Sequence, residues 1–312
     1  MATLDTVAAV RDLATVRDFL RWGMTAMNRA GVHLGHGTDD AWDEALALVL
    51  HALALPHDAD PRILDARLTQ AEREQVAELV RQRVEERVPV AYLTGIAWFA
   101  GLPFRVDSRV LIPRSPIAEL IADRFEPWLD ADRVQRVLEL CTGSGCIAIA
   151  CGVAFPDADI TATDLSADAL AVARENRVRH GMETQLTLVE GDLYAGVPGR
   201  FDLIVTNPPY VDAADMAALP PEYRHEPALG LAAGADGLDL VVRILAGAGE
   251  RLTDHGLLVC EVGNSDAALL DLFPQVPFVW PEGEGEGGVF VLAAADVRAH
   301  TAAFRAEAAR RV

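Results

Sequence analysis

The chain has 312 residues, of which 51% are hydrophobic and 24% are charged, as in an ordinary globular protein with a sizeable core. Its length allows two domains of the usual size. Aspartate and glutamate outnumber lysine and arginine by 47 to 27, which gives a net charge of -20. Such a surface disfavours binding to a phosphate backbone and favours a basic partner. A GC-rich genome also produces chains rich in alanine and arginine, so the acidity need not serve a partner.

The four cysteines are Cys141, Cys146, Cys151 and Cys260, and none of them forms a Cys-x-x-Cys pair. This spacing suits neither a disulfide framework nor a zinc ribbon, so we expect small buried side chains in a reducing compartment. The N-terminus lacks the basic and apolar regions of a signal peptide. No apolar run approaches the roughly 18–20 residues that span a bilayer. These features predict a cytoplasmic protein without a membrane segment.

The first 89 residues are predicted to form a small helical domain. Apolar side chains recur every three or four residues from Val10 to Leu20 and from Leu46 to Leu53. A third helix is expected over Thr69–Arg87, beginning at the capping box that Thr69 forms with Glu72. Pro89 should end this helix.

Residues 90–113 are rich in aromatic and β-branched side chains and are interrupted by glycine and proline. This composition predicts a β-hairpin that links the helical domain to the next one. Another helix is expected from Pro116 to Trp128, and residues 114–312 form the predicted second domain.

From about Arg133 the pattern alternates between buried strands and helices, which is typical of an α/β fold with a parallel, Rossmann-like sheet. Helices are expected over Cys146–Phe155, Ser166–His180 and Leu238–Leu252, with Ser166 as an N-cap. The predicted strands are RVLEL, DADITATD, TLVEGD, FDLIVT and GLLVCEV, followed by two more around FVWPEGEGEGGVFVLAA. Ligands of such sheets bind beyond the carboxyl ends of the strands.

A glycine-rich turn follows the first of these strands, in Glu139-Leu-Cys-Thr-Gly143-Ser-Gly145. Glycines there allow positive φ angles and a close approach of the backbone to a ligand. Asp164 ends the second strand, where a carboxylate can accept both ribose hydroxyls. Asp192 follows the third strand, at a position suited to the amine of adenine. An adenosine-bearing ligand is expected, which could be NAD or S-adenosylmethionine, although a tight turn without a ligand is the plain alternative.

The fourth strand ends in Asn207-Pro208-Pro209-Tyr210. The prolines stiffen the turn and remove two N–H donors, which leaves the Asn207 side-chain oxygen and the Pro208 carbonyl as acceptors. Two acceptors suit a planar NH₂ group that must be oriented and must develop positive charge during methyl transfer. Tyr210 offers a flat face for stacking. The motif therefore predicts methylation of an amide or amino nitrogen, and the alternative is a turn with a conveniently placed tyrosine.

The histidines do not show the spacing of metal ligands, and no metal site is expected. His225 lies in a segment after the Asn-Pro-Pro-Tyr turn. We interpret it as a packed or hydrogen-bonding residue of a flap rather than as a catalytic base. Glu282, Glu284 and Glu286 lie in a glycine-rich stretch and are expected to be solvated.

These segments together resemble the protein-glutamine N5-methyltransferases of the HemK/PrmC and PrmB type, over essentially the whole chain. The resemblance rests on the helical first domain, the hairpin, VLELCTGSGCIAIA, FDLIVTNPPYV and LVCEVGNS. It implies a class I methyltransferase domain that uses S-adenosylmethionine, and a first domain that recognises the substrate. The catalytic residues it implies are Asn207, Pro208 and Tyr210, with Pro209 as a further substrate contact. The cofactor contacts it implies are Glu139, Cys141, Gly143, Gly145, Asp164, Leu165, Asp192, Leu193 and Asn207.

The resemblance also concerns the substrate. Release-factor enzymes of this family usually carry Pro-Arg-Pro followed by an acid and Thr-Glu after the hairpin, whereas this chain has Ile112-Pro-Arg-Ser-Pro-Ile117. Together with EYRHEPALG and CEVGNS, this stretch looks closer to the branch that methylates a large-subunit ribosomal protein. A basic ribosomal protein is therefore the expected partner, and class I release factors are the alternative.

Three other functions remain open at this point. A nucleic-acid amino-methyltransferase would use the same Asn-Pro-Pro-Tyr chemistry on an exocyclic amine, but the net charge of -20 and the lack of a basic stripe weigh against it. An NAD-linked oxidoreductase would use the glycine turn alone. A binding protein without catalysis would not need the intact Asn-Pro-Pro-Tyr turn.

Overall fold

The computed structural model describes residues 4–38, 40–281 and 288–311. The chain divides into two compact units. The helical unit comprises Met1–Ala97, Val106–Ser108 and Pro220–His225. The sheet unit comprises Trp98–Arg105, Arg109–Leu219 and Glu226–Val312. The chain therefore leaves the sheet unit for a short stretch after residue 219 and returns at Glu226.

The described residues of the helical unit form five α-helices around one apolar core. They are α1 (Thr6–Asp12), α2 (Val16–Ala30), α3 (Ala41–Ala52), α4 (Gln70–Arg81) and α5 (Val90–Thr94). Helix α2 begins at a capping box between Thr15 and Asp18, and α4 begins at the predicted capping box between Thr69 and Glu72. Each box satisfies free N–H groups of the first turn.

The third predicted helix departs from regular geometry in its last turns. After α4 the chain forms a π-turn over Gln82–Glu86 and then takes a left-handed conformation at Arg87. Within the π-turn, the guanidinium of Arg83 is fully buried and donates to both carboxylate oxygens of Glu44, at 2.6 and 3.0 Å. Pro89 follows, as expected, and the chain then turns into α5 rather than into a strand. The hairpin is therefore shorter than predicted.

The remaining elements follow in chain order and include the sheet that organises the second unit. The strands are β1 (Ile96–Phe99), β2 (Leu102–Arg105), β3 (Arg136–Leu140), β4 (Asp159–Asp164), β5 (Leu186–Glu190), β6 (Phe201–Thr206), β7 (Leu252–Gly263) and β8 (Gly288–Ala293). The helices are α6 (Ile117–Ala122), α7 (Cys146–Ala154), α8 (Ala167–Arg179), α9 (Ala213–Ala218), α10 (Asp239–Arg251), α11 (Asp266–Leu272) and α12 (Ala294–Arg310). Strands β1 and β2 form the hairpin.

The main sheet has six strands in the order β5-β4-β3-β6-β7-β8, and all neighbours are parallel except β7 and β8. This arrangement confirms the predicted α/β class with a predominantly parallel sheet. Alternate residues of the central strands β3 and β6 enter two separate cores. Val137 and Leu203 lie in one core, and their neighbours Leu138 and Ile204 lie in the other. Both faces of the sheet are buried, as expected for parallel strands covered by helices.

The strand order reverses beside β3. From β3 the chain moves outward through β4 and β5, and it then returns to place β6 on the other side of β3. Leu140 and Thr206 pair at the ends of these two strands, and the Thr206 hydroxyl donates to the Leu140 carbonyl at 2.9 Å. Turns that leave adjacent strands in opposite directions open a crevice, which is where ligands of such folds bind.

Besides the length of the hairpin, two predictions of local structure were wrong. The helix expected over residues 116–128 ends at Ala122, because Arg124 and Phe125 adopt positive φ angles of 51° and 60° that a right-handed helix excludes. Near the C-terminus, the first of the two expected strands is reduced to a single bridge from Val279 to Val291. Helices α11 and α12 were not predicted.

The described part of the chain contains no helix that combines the length and apolarity needed to cross a membrane. Glu282, Glu284 and Glu286, which we expected to be solvated, lie outside the described residues.

Candidate active site

A cavity of about 240 Å³ lies where β3, β4, β5 and β6 end, within the sheet unit. It brings together most of the residues predicted from the sequence. Those that line it are Glu139, Cys141, Gly143, Asp164, Leu165, Asp192, Leu193, Asn207 and Pro209. Gly145, Pro208 and Tyr210, although described, are not among its lining residues.

The glycine turn after β3 has a left-handed backbone at both glycines, with φ angles of 55° at Gly143 and 81° at Gly145. A Cβ atom at Gly143 would meet nothing within 4 Å, so this residue leaves open space. A Cβ atom at Gly145 would lie 3.3 Å from the Cβ atom of Ala173 in α8. Gly145 therefore allows close packing at the start of α7, and Gly143 is the glycine that lines the cavity.

Asp164 connects the ends of β4 and β3. Its two carboxylate oxygens accept hydrogen bonds from the backbone N–H groups of Gly143 and Ser166, each at 2.8 Å. Burial raises the pKa of this carboxyl, and the backbone donors oppose the shift. A carboxylate oxygen has more than one acceptor site, so Asp164 can hold the glycine turn and still accept hydroxyl groups.

Glu139 lies beneath the same turn. It accepts hydrogen bonds from the hydroxyl of Thr142 and from the backbone N–H of Ala148, the latter at 3.0 Å. Burial raises the pKa of the Glu139 carboxyl to about 8, against the effect of these two donors. The contacts described for Glu139 thus hold the turn in shape.

Asp192 and Leu193 follow β5. Asp192 forms an ion pair of 2.7 Å with Arg243, and both side chains are about half exposed. Leu193 is buried, whereas Leu165, after β4, is 59% exposed. The two leucines give the cavity apolar walls beside the carboxylates, a combination that suits a flat base joined to a sugar.

The Asn-Pro-Pro-Tyr turn begins directly after β6. Asn207 and Pro209 line the cavity, and Pro208 is buried. The hydroxyl of Tyr210 donates to Glu261 Oε1 at 2.8 Å. The predicted acceptor Asn207 thus lies beside the glycine turn, while Tyr210 makes its polar contact with β7.

Four residues around this turn were not predicted to take part in the site. Glu261 lies in β7 and also accepts a hydrogen bond of 2.5 Å from the hydroxyl of Ser115. Glu226 is fully buried and accepts two hydrogen bonds from Arg114, at 2.7 and 2.8 Å. A glutamate inside the apolar run GLLVCEV is a signal that could have marked Glu261. Nothing local in the sequence pairs Arg114 with Glu226.

His225 lies in the helical unit, where its Nε2 atom is 2.9 Å from the Glu86 carbonyl. This contact agrees with the interpretation of His225 as a hydrogen-bonding residue rather than a base. All four cysteines are free thiols. Cys146, Cys151 and Cys260 are buried as expected, but Cys141 is partly exposed and lines the cavity. The described residues include no group of three or more His, Cys, Asp or Glu side chains that could hold a metal ion.

Known proteins similar to this chain include two close relatives. Residues 122–219 match the model of the methyltransferase small domain family. The ribosomal protein uL3 glutamine methyltransferase of Xanthomonas campestris pv. campestris is 52% identical over 299 residues, which cover 95% of this chain and 97% of that protein. The protein of the same name from Xylella fastidiosa is 51% identical over 316 residues, which cover 100% of both chains.

A solved structure resembles the fold at much lower identity. The hMettl16 catalytic domain, in complex with the MAT2A 3'UTR hairpin 6, has a TM-score of 0.50 and 16% identity, covering 70% of this chain and 80% of that one. This likeness supports the fold alone. The identity and coverage of the Xanthomonas and Xylella relatives are far higher, and they show that the chain belongs to the family of the ribosomal protein uL3 glutamine methyltransferases.

Proposed function

We propose that this protein transfers a methyl group from S-adenosylmethionine to the side-chain amide nitrogen of a glutamine in ribosomal protein uL3. The observation that carries the proposal is the position of Asn207. It follows β6 beside the end of β3 and lines the same cavity as Gly143 and Asp164. A group that can hold an NH₂ nucleophile thus lies next to a turn that suits an adenosine-bearing cofactor.

The residues of the cavity fit S-adenosylmethionine. Gly143 leaves open space, Asp164 has acceptor capacity for ribose hydroxyls, and Leu165 and Leu193 offer apolar surface for the adenine. Asp192 remains a candidate for the adenine amine, although it already pairs with Arg243. We also assign Glu139, Cys141 and Gly145 to the cofactor side, where Glu139 and Gly145 support the shape of the turn.

The chain supplies orientation and charge stabilisation. The bound cofactor supplies an electrophilic methyl group on a sulfonium. Asn207 and the carbonyl of Pro208 accept hydrogen bonds from the two N–H groups of the amide, align its nitrogen and stabilise the positive charge that grows there. The methyl–sulfur bond breaks as the methyl–nitrogen bond forms, S-adenosylhomocysteine leaves, and the methylated nitrogen releases one proton to solvent. Pro209 and Tyr210 limit the space that the substrate can occupy. Holding the reactants in line accounts for roughly 7–11 kcal/mol of a reaction barrier, and a preorganised polar group adds roughly 3–4 kcal/mol.

The choice of uL3 as substrate rests on two observations. The relatives that share half of all residues with this chain bear that substrate in their names. The net charge of -20 also favours a basic protein over nucleic acid. We further propose that the helical unit contributes to recognition of uL3, that the protein acts in the cytoplasm, and that it does not bind nucleic acid directly.

The test is incubation of the enzyme and labelled S-adenosylmethionine with uL3, a class I release factor and bare ribosomal RNA in separate reactions. Mass spectrometry then locates the label, and the variant Asn207→Ala serves as the matched control. We expect one methyl group on a glutamine amide of uL3 and a strongly reduced signal for the variant. Preferential labelling of the release factor or the RNA would reject uL3 as the substrate.

A further inference from the structure

We propose that Glu261 is a positioning residue for methyl transfer, which holds the ring of Tyr210 in a fixed orientation and shares this role with Ser115. The inference rests on the proposed function for the identity of the reaction. It is carried by contacts within the sheet unit that reach Tyr210 from the stretch Glu261–Ser265, and by a contact from Ser115, in the segment before α6, to Glu261.

The first contact is the carboxylate of Glu261, which is only 3% exposed. Its Oε1 atom accepts a hydrogen bond from the Tyr210 hydroxyl at 2.8 Å, and its Oε2 atom accepts one from the Ser115 hydroxyl at 2.5 Å. Each oxygen therefore has its own hydroxyl donor. Burial raises the pKa of Glu261, and the two hydroxyl donors and the positive charge of Arg114 oppose this rise.

The second contact is made by Gly263, the last residue of β7. A Cβ atom at this position would lie 2.4 Å from Cε2 and 2.7 Å from Cδ2 of the Tyr210 ring. Gly263 also has a φ angle of 50°, in the left-handed region. The tyrosine ring thus lies directly against the backbone of Gly263, in space that any other residue would occupy.

The third contact holds the backbone of the tyrosine. The Ser265 hydroxyl lies within hydrogen-bonding reach of two carbonyls, those of Tyr210 at 3.3 Å and Asp236 at 3.1 Å. Glu261, Gly263 and Ser265 alternate along one short stretch of chain. They contact the hydroxyl, the ring and the carbonyl of the same residue.

Such an arrangement is more than the fold needs. A carboxylate is costly to bury, and an apolar side chain would fill the interior of β7 at a lower cost. The position of a catalytic group matters strongly, because a displacement of about 1 Å can lower a rate roughly 10²-fold. Tyr210 is the last residue of the Asn-Pro-Pro-Tyr turn, the clamp in which Asn207 and Pro208 hold the substrate amide. Fixing its ring therefore fixes one boundary of the site that receives the planar amide.

The kinetic test is a double-mutant cycle with Glu261→Gln and Tyr210→Phe, assayed on uL3. Glutamine has nearly the shape of glutamate, but it is neutral and has one acceptor oxygen for the two hydroxyl groups, so its hydrogen bond to Tyr210 is weaker than that of a carboxylate. We expect Glu261→Gln to lower kcat about tenfold, with little change in the affinity for S-adenosylhomocysteine. In the Tyr210→Phe background the same change should lower kcat less than about twofold, because the hydroxyl that Glu261 holds is already absent. Equal losses in both backgrounds would overturn the proposal.

Ser115→Ala and Ser115→Thr form a second pair of variants, for which we expect smaller changes in kcat. Alanine removes the second donor and should lower kcat about two- to fivefold, whereas threonine keeps a hydroxyl and should restore most of the rate. A threonine variant as slow as the alanine variant would contradict the role of the hydroxyl.

An NMR measurement of tyrosine ring motion, which needs no catalysis, tests this inference separately from the proposed function. The chain has four tyrosines, so ring signals of ¹³C-labelled tyrosine are few, and the Tyr210→Phe spectrum assigns the signal of Tyr210. We expect slow ring flipping of Tyr210 in the wild-type protein and fast flipping in Glu261→Gln. Fast flipping in both proteins would refute the positioning role. Inactivity of the wild-type enzyme on uL3, with slow flipping, would instead refute only the substrate.

Discussion

The two halves of the cavity are built differently. The cofactor side consists of the turns after β3, β4 and β5, and the contacts by which Glu139 and Asp164 hold its glycine turn link residues close in sequence. Thr142 lies 3 residues from Glu139, and Gly143 lies 21 residues from Asp164. The transfer side consists of the Asn-Pro-Pro-Tyr turn with Glu261, Ser115 and the Arg114–Glu226 pair. Its contacts join residues 51, 112 and 146 positions apart.

This difference indicates that the two sides of the cavity serve different functions. The glycine turn is held by hydrogen bonds within itself and to Asp164 at the end of the next strand. It can therefore take its shape with the support of neighbouring parts of the sheet alone. A clamp held by buried carboxylates from distant segments depends on the whole sheet unit. We therefore expect changes on the cofactor side to act mainly on cofactor affinity, and changes on the transfer side to act on turnover or on the stability of the unit.

The largest effect is expected for Asn207→Ala. This change removes an acceptor for the amide N–H, so kcat should fall roughly 10²–10³-fold. The affinity for S-adenosylhomocysteine, measured by calorimetry, should stay near that of the wild-type protein. A mutant that turns over at the wild-type rate would show that the acceptor role assigned to Asn207 is wrong.

Arg114→Ala should change a free energy by a comparable amount, but this free energy is that of unfolding. The change takes away the guanidinium that gives two hydrogen bonds to the fully buried Glu226 carboxylate, and loss of one partner of a buried pair costs about 3–5 kcal/mol. Urea denaturation measures the free energy of unfolding. The matched control is Arg243→Ala, which breaks a half-exposed ion pair with Asp192 and should cost less than about 1 kcal/mol. If Arg114→Ala and Arg243→Ala lowered the free energy of unfolding equally, the distinction between the two sides of the cavity would be wrong.

Asp164→Ala should mainly weaken cofactor binding. The carboxylate holds the Gly143 N–H and is assigned to the ribose, and a hydrogen bond to a charged group contributes about 1.5–3 kcal/mol. The dissociation constant of S-adenosylhomocysteine should therefore rise roughly 10–100-fold. Once S-adenosylmethionine is saturating, turnover should recover largely. Unchanged affinity would remove the ribose assignment.

The same contrast explains what could be predicted from the sequence. Strand–turn–helix periodicity, the Thr69 capping box and the Ser166 N-cap are local signals, and the structure confirms them. The failures depend on longer range or on backbone geometry. The positive φ angle at Arg124 ends α6 early, and no local pattern places Ser115 against Glu261. Local signals in the sequence thus pointed to most of the residues that line the cavity, but not to the residues that support Tyr210.

The last prediction concerns the pH dependence of stability that Glu139, the buried carboxyl group of the cofactor side, produces. Burial raises the pKa of Glu139 from 4.5 to about 8, so between these values the folded protein keeps a proton that the unfolded chain releases. The free energy of unfolding should therefore fall as pH rises through this window, by up to about 1.4 kcal/mol per pH unit from this one group. Glutamine does not titrate. Urea denaturation of the wild-type protein and Glu139→Gln from pH 5 to 8 should show the wild type losing stability relative to the variant. Other groups titrate in both proteins and cancel in the difference, so parallel curves would mean that Glu139 is ionised in the folded protein and that its turn tolerates the charge.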